Sequence, residues 1–397
     1  MFGTVSRGFG LAAFTVVLTI SANLWGQAGS PNRSGVAAAS YNERAGEQDP
    51  RVLLQQAHQL AKQAKTVEEF TRALRLCQQA KKLGVTRQTE EYLRDLAGWL
   101  YNRRGEAYAD QAGLASEQGD SQRSAQLEDQ AIRDFTTSLN FKVTWRPFHN
   151  RGVSKAMQGD YEAAIGDFDE SIARNPDYGN TFFNRAEILF EMGRFDEAER
   201  DYSEAIRLNP ADAVAISGRG HAMFQQGRVQ EAVDDFSEVI QLEPENARAL
   251  ADRGDVYAYA GEWNSAALDY KAAKNLDSEF GRVYQSMAWI AATCPDDYFR
   301  NPEMALKLAE TAIRLDGQDD YRYLDTLAAA QACYADELAR KAQESSDRTV
   351  QQQSIEGFQK AVEYANQAVL RAPADVRPDI EQRVAAYRQR QPFREVR

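Results

Sequence analysis

Apolar residues in the middle of this chain recur three and four places apart, and that recurrence itself repeats. From Gly179 to Asp212, Phe182, Ala186 and Leu189 lie on one helical face, Gly193 interrupts, and Ala198, Tyr202 and Ala205 resume the spacing. Such a pattern predicts two amphipathic helices joined by a tight turn. Pro210 closes the block; Pro176, Pro210 and Pro244 stand 34 residues apart, and Ser278 occupies the next such place.

The blocks that begin at Trp145, Ala213 and Ala247 follow the same scheme. Gly152, Gly220 and Gly254 hold the small position of the first helix, and Ala164, Ala232 and Ala266 that of the second. Small residues are needed where two helices of a hairpin cross closely. Phe168, Tyr202, Phe236 and Tyr270 are expected to fill the space between one hairpin and the next. Gly159, Gly193, Gly227 and Gly261 are placed to close the first helix in a left-handed conformation. Proline after the second helix supplies no amide and turns the preceding residue away from helix. Arg151, Arg185, Arg219 and Arg253 share the period, as do Asp167, Asp201, Asp235 and Asp269, so ion pairs within or between hairpins are expected.

These residues resemble the tetratricopeptide repeat, W-x2-L-G-x2-Y then A-x3-F then P, with Arg185 in place of its leucine. Weaker matches extend the likeness over residues 50 to 376. Arg104, Gly105, Tyr108, Ala131 and Phe135 carry it between residues 98 and 144, with about 14 residues more than the 34-residue pattern. Ala288, Ala305 and Ala309 carry it through residues 281–319, around the loop from Thr293 to Asp297. Leu327, Phe358, Ala361, Ala365 and Pro373 carry it through residues 320–376, around a long polar insertion. Phe70, Ala73, Cys77 and Ala80 mark the second helix of a further hairpin, and Ile380 to Tyr387 a capping helix. Terminal repeats of a solenoid are atypical because no neighbour covers their outer face.

The resemblance implies an all-α, right-handed solenoid of about six or seven helix-turn-helix hairpins, four of them regular, with a C-terminal capping helix. The domain scheme is residues 1–28 as signal peptide or membrane anchor and 29–49 as a flexible linker. Residues 50–97 form an N-terminal hairpin and 98–280 the core repeats. Residues 281–376 are degenerate repeats, and 377–397 the capping helix and tail. In the family the first helices line a concave groove for an extended peptide or partner helix. Carried over, its lining positions fall on His149, Asn150, Val153, Met157, Phe183, Asn184, Glu187 and Phe190. They continue with Ser217, His221, Phe224, Asp252, Asp255, Tyr259, Gln285 and Trp289. Phe183, Phe190, Phe224, Tyr259 and Trp289 are aromatics at places that do not build the hairpin core, which favours protein or peptide binding. The alternative is that these rings cover one another. The Lys and Asn clamp by which one subgroup holds chaperone C-termini is absent, since His149, Phe183, Ser217 and Ala251 stand at its fifth position.

Charge narrows the partners: 59 acidic against 47 basic residues give −12, whereas nucleic-acid binding requires a basic face. Chemistry is sparse. The sequences GxSxG, HExxH and GxxxxGK[ST] do not occur. Gly218-Arg219-Gly220 starts like a dinucleotide loop, but lacks its third glycine and falls inside a helix. The three histidines are not at metal-ligand spacing, so no catalytic residue, metal site or cofactor is expected. Cys77, Cys294 and Cys333 read as buried apolar residues; Cys294 and Cys333, equivalent in neighbouring repeats, could bridge in an oxidising compartment.

Arg7 precedes an uncharged stretch from Gly8 to Gln27, with small residues at Gly26 to Ala28. This implies export to the periplasm or cell envelope, with membrane contact only through that segment if it is retained. The expected function is a non-enzymatic scaffold holding a peptide or protein. Alternatives are a structural or self-assembling module, forming a homo-oligomer, or a regulatory helper of an envelope enzyme or secretion complex.

Overall fold

The computed structural model describes residues 49–395, so the expected export segment and nearly all of the linker lie outside the described residues. Every regular element among them is an α-helix. Two compact units meet in sequence between Gly218 and Arg219.

In the first unit the hairpins are α1 (Pro50–Gln63) with α2 (Val67–Lys82), α3 (Arg87–Glu117) with α4 (Ser121–Phe141), α5 (Trp145–Met157) with α6 (Tyr161–Arg174), and α7 (Gly179–Glu191) with α8 (Phe195–Leu208). Helix α9 (Ala213–Gln225) crosses the boundary. In the second unit follow α10 (Val229–Leu242), α11 (Ala247–Ala260) with α12 (Trp263–Leu276), and α13 (Gly281–Thr293) with α14 (Pro302–Asp316). Then come α15 (Tyr321–Ser345) with α16 (Arg348–Arg371), and the closing helix α17 (Arg377–Arg388).

The described residues thus hold eight hairpins, against about six or seven expected, because the degenerate ends still form complete pairs. The extra residues of the second hairpin do not loop out. They lengthen both helices, to 31 residues in α3 and 21 in α4, against 13 in α5 and 14 in α6. The added stretch is rich in Ala, Gln and Glu and free of proline, so helix is its favoured state. Ala112 and Ala115 bury its inner face. The polar insertion after residue 320 is absorbed the same way, in α15 of 25 residues and α16 of 24. The division expected between residues 97 and 98 falls inside α3, because Leu93, Leu96 and Leu100 form one continuous buried face across it.

Turns between the regular helices follow one geometry. Gly193 has φ 74° and Gly227 φ 77°, and each lets the next amide reach back five residues: Arg194 N–H to Leu189 O at 2.8 Å, and Arg228 N–H to Met223 O at 2.9 Å. These bonds satisfy carbonyls that a helix end otherwise leaves open. Pro176, Pro210 and Pro244 each follow the C-cap of a second helix.

Packing inside each hairpin sets a ring against a residue without bulk. A Cβ at Gly152 would stand 2.8 Å from Phe168 Cε1, and one at Gly254 2.7 Å from Tyr270 Cε1. Phe135 fills the equivalent space over Gly105, and Phe236 that over Gly220. The rings therefore seat within their own hairpin, closer in than the inter-hairpin filling expected of them. Tyr202 also reaches onward, to Gly218 at the start of the next repeat.

The periodic Arg and Asp form forks that tie the two helices of one hairpin. Arg151 Nε and Nη2 donate to Asp167 at 2.9 and 2.7 Å, and Arg253 to Asp269 at 2.8 Å through both nitrogens. Arg185–Asp201 and Arg219–Asp235 repeat this fork, and Arg104–Asp134 adds it to the lengthened hairpin. The aspartates are buried while the arginines keep partial exposure. The third nitrogen reaches the preceding hairpin: Arg104 Nη1 donates to Thr71, Arg151 Nη1 to Thr136 and Arg253 Nη1 to Ser237, each at 3.0 Å, and Arg185 Nη1 pairs with Asp169.

Removing one partner of a buried ion pair strands the other charge, at about 3–5 kcal/mol, whereas an exposed pair contributes about 0–1 kcal/mol. Arg253→Ala is therefore expected to lose about 3 kcal/mol in urea unfolding. Arg207→Ala, which frees only the exposed Glu204, should change stability by less than about 1 kcal/mol. Equal small losses would show that the fork is dispensable.

Candidate functional site

The site predicted on the first helices divides into residues consumed by internal contacts and residues left accessible. In the first unit His149 is buried, its Nδ1 3.0 Å from Thr181 Oγ1 and its ring edge-on to Tyr178. Burial pushes its imidazole down to about 3, so it stays neutral and serves packing. Asn150 is buried as well and donates to Glu106 Oε1 at 3.0 Å, where Asn102 also donates at 2.7 Å. Burial raises the Glu106 carboxyl, opposed by Arg103 and these two amides. Asn184 is buried too. Surface remains at Met157, Phe183, Glu187 and Phe190. Phe183 lies edge-on to Tyr202 at 6.0 Å and Phe190 edge-on to Phe195 at 5.2 Å, while the Tyr202 hydroxyl donates to Glu187.

In the second unit the helix-A positions carry a charged network that the sequence did not disclose. Arg282 of α13 donates to Asp252 Oδ1 at 2.7 Å and pairs with Asp255, both on α11. Asp255 also accepts from Tyr270 Oη at 2.6 Å and from Ser286 Oγ at 3.1 Å. His221 Nε2 is 3.4 Å from Asp252 Oδ2, and its ring meets Phe236 edge-on. Burial opposes the Asp252 charge, but Arg282 and His221 together hold its carboxyl below the usual range. The legible hint was the pair Asp252 and Asp255, three apart and hence on one helix face.

Phe224 is buried edge-on to Tyr259 at 5.1 Å, and Tyr259 keeps partial exposure. Gln285 Nε2 donates to Thr326 Oγ1 at 2.7 Å. Trp289 is 3% exposed because Phe393 and Glu395 cover it. Seven of the thirteen residues singled out from His149 to Trp289, leaving aside Val153, Ser217 and Asp252, are buried. The accessible six are Met157, Phe183, Glu187, Phe190, Tyr259 and Gln285. Each of the five rings has an aromatic neighbour, and Phe183, Phe190 and Tyr259 remain partly exposed.

Among the described residues no three His, Cys, Asp or Glu side chains converge where they could hold a metal ion, and no helix is long and apolar enough to cross a membrane. Cys77, Cys294 and Cys333 are buried free thiols; burial pushes the Cys77 thiol up to about 12. One carboxyl outside the predicted set is unusual. Glu128, on the lengthened part of α4, is buried with no hydrogen-bond partner at Oε2, and burial pushes it up to about 7.

Stacked antiparallel helix pairs, with small residues under rings and a first-helix surface of half-exposed aromatics, define a repeat protein of helical hairpins. The profile described as the tetratricopeptide repeat matches residues 179–212, and one described as the TPR repeat matches residues 220–261. These matches place tetratricopeptide repeats within residues 179–261 of this chain. No curated protein matches it. Similar solved structures include YrrB, a TPR protein with an unusual peptide-binding site, at 19% identity over 45% of this chain and 90% of that chain, TM-score 0.36. MamA from residue 41 onward, of Desulfovibrio magneticus RS-1, is 17% identical over 44% of this chain and 95% of that chain, TM-score 0.37. The C-terminal part of a TPR repeat-containing protein from Cytophaga hutchinsonii is 16% identical over 69% of this chain and 99% of that chain, TM-score 0.48.

The Glu128 carboxyl predicts a pH dependence. Folding raises its pKa from the ordinary 4.5 to about 7, so the folded chain takes up a proton between those values. Its contribution is present below about 4.5 and lost as pH rises through about 7. Glu128→Gln removes the dependence. Thermal or urea unfolding should show the variant gaining on the parent from pH 5 to pH 8, on the order of 2 kcal/mol. A pH-independent difference would place Glu128 in contact with water.

Proposed function

We propose that this chain is a non-catalytic scaffold that holds a peptide or protein partner on its first-helix surface, outside the cytoplasm. The observation that supports it is the state of Phe183, Phe190 and Tyr259. Each is half-exposed, and each is held edge-on by a neighbouring ring, Tyr202, Phe195 and Phe224 respectively. Rings fixed in this way offer a large apolar area and lose little conformational freedom on binding. Glu187 of α7 and Gln285 of α13 add partly exposed polar groups. The family favours the same reading, and the excess of acidic residues disfavours a phosphate backbone as the partner.

The location rests on the sequence alone, on Arg7 followed by an uncharged run to Gln27. Fractionation of the native cells should recover the chain in the envelope or periplasm. Recovery in the cytosol with Met1 intact would overturn that part of the reading.

Simultaneous replacement of Phe183, Phe190 and Tyr259 by alanine is expected to reduce capture of partners from an envelope extract at least about tenfold, since truncating each central aromatic costs about 1 kcal/mol or more. Helicity and the unfolding midpoint serve as controls, because none of the three is buried. Undiminished capture by a folded triple variant would reject this surface.

A further inference from the structure

The chain after α17 turns back and lies on the first-helix surface of the second unit. The reversal occurs at Arg390, whose φ of 58° is a conformation that favours glycine, and Pro392 follows. From there the backbone and three side chains engage α13, α15 and α17. Phe393 packs 6.0 Å from the Trp289 ring, and the Arg383 guanidinium stands over both, 5.6 Å from Trp289 and 5.3 Å from Phe393. Arg383 is itself forked to Asp325 at 3.0 and 2.7 Å, so the cation is fixed before the ring arrives. Glu395 accepts the Trp289 indole N–H at 2.9 Å.

The remaining contacts address the end of α13. A helix terminus leaves its last carbonyls open and carries partial negative charge. Here Arg394 Nη1 donates to Ala292 O at 3.2 Å, Glu395 N–H to Thr293 O at 3.0 Å, and Arg394 Nη2 lies 3.6 Å from Asp336. Trp289, Ala292 and Thr293, spaced three and four apart, share one face of α13. A short extended segment, anchored by one aromatic and by backbone and charged contacts, meets this surface as a bound peptide would.

We propose that Phe393-Arg394-Glu395 is a displaceable occupant of a peptide site formed by α13, α15 and α17, and that a partner segment carrying an aromatic–basic–acidic triplet takes the same place. The proposal rests on the scaffold reading and specifies the partner chemistry at one end of the array. The aromatic ring seats on Arg383 and Trp289, the basic residue caps α13, and the carboxylate takes the indole N–H. Because the tail is tethered it competes at high effective concentration, and only a partner of matching chemistry or a released tail opens the site.

The test uses the full chain with Phe393→Ala and Glu395→Gln, and a fluorescent synthetic peptide with the sequence of residues 389–395. The double variant should bind the peptide at least about tenfold more tightly than the unaltered chain, and a peptide with alanine for its phenylalanine should lose that binding. Equal binding by both proteins, or none by either, would overturn the proposal. Should the double variant lose helicity, the unaltered chain gives the answer. Excess peptide should speed hydrogen exchange at the Glu395 amide while α17 stays protected, and unchanged exchange would again overturn it. If the peptide fails while capture through Phe183, Phe190 and Tyr259 persists, the tail site falls and the scaffold reading stands.

Discussion

One guanidinium per repeat ties the regular part of this protein together. Its Nε and Nη2 close a fork on the aspartate of the same hairpin, and Nη1 of Arg104, Arg151, Arg185 and Arg253 is given to the second helix of the hairpin before. The planar five-donor group of arginine suits this; a lysine could not bridge three helices in fixed directions. The ring–glycine contact depends on the same approach. Only a short distance between first and second helix lets Phe168 sit over Gly152, or Tyr270 over Gly254, and the fork holds the helices at that distance.

That geometry also divides the surface. Because the hairpins pack closely, polar residues pointing between first helices become buried and must find partners there. Glu106 with Asn102 and Asn150 is one solution, and Arg282 with Asp252 and Asp255 another. His149 and Phe183 share the fifth place of their repeats, and Phe190 and Phe224 the twelfth, yet Phe183 and Phe190 keep surface while His149 and Phe224 are buried. A lining position inherited from the family therefore marks a direction on the helix, and the neighbouring helix decides whether that direction still faces solvent.

The fold was legible to an unusual depth because its causes are local. Helical spacing, a glycine at the turn and a proline after the second helix each act within a few residues, and their 34-residue recurrence shows at once. Legibility failed where the pattern lost its punctuation. Between Leu93 and Leu100 nothing in the chain stops a helix, so α3 runs through an expected division. The insertions break the period, yet Ala112 and Ala115 continue an apolar face and the helices lengthen.

The sequence by itself determined the hairpin array, the small and aromatic positions, the Arg and Asp period, and which residues point along the first-helix face, since all of these follow from spacing along one helix. Tertiary structure decided that each fork closes within its hairpin, that Arg282 reaches Asp252 and Asp255, that Glu128 is buried with its carboxyl raised, and that Phe393 and Glu395 cover Trp289. Contacts across 27, 30 or 106 residues depend on how separate helices are oriented, and no spacing along a single helix encodes that.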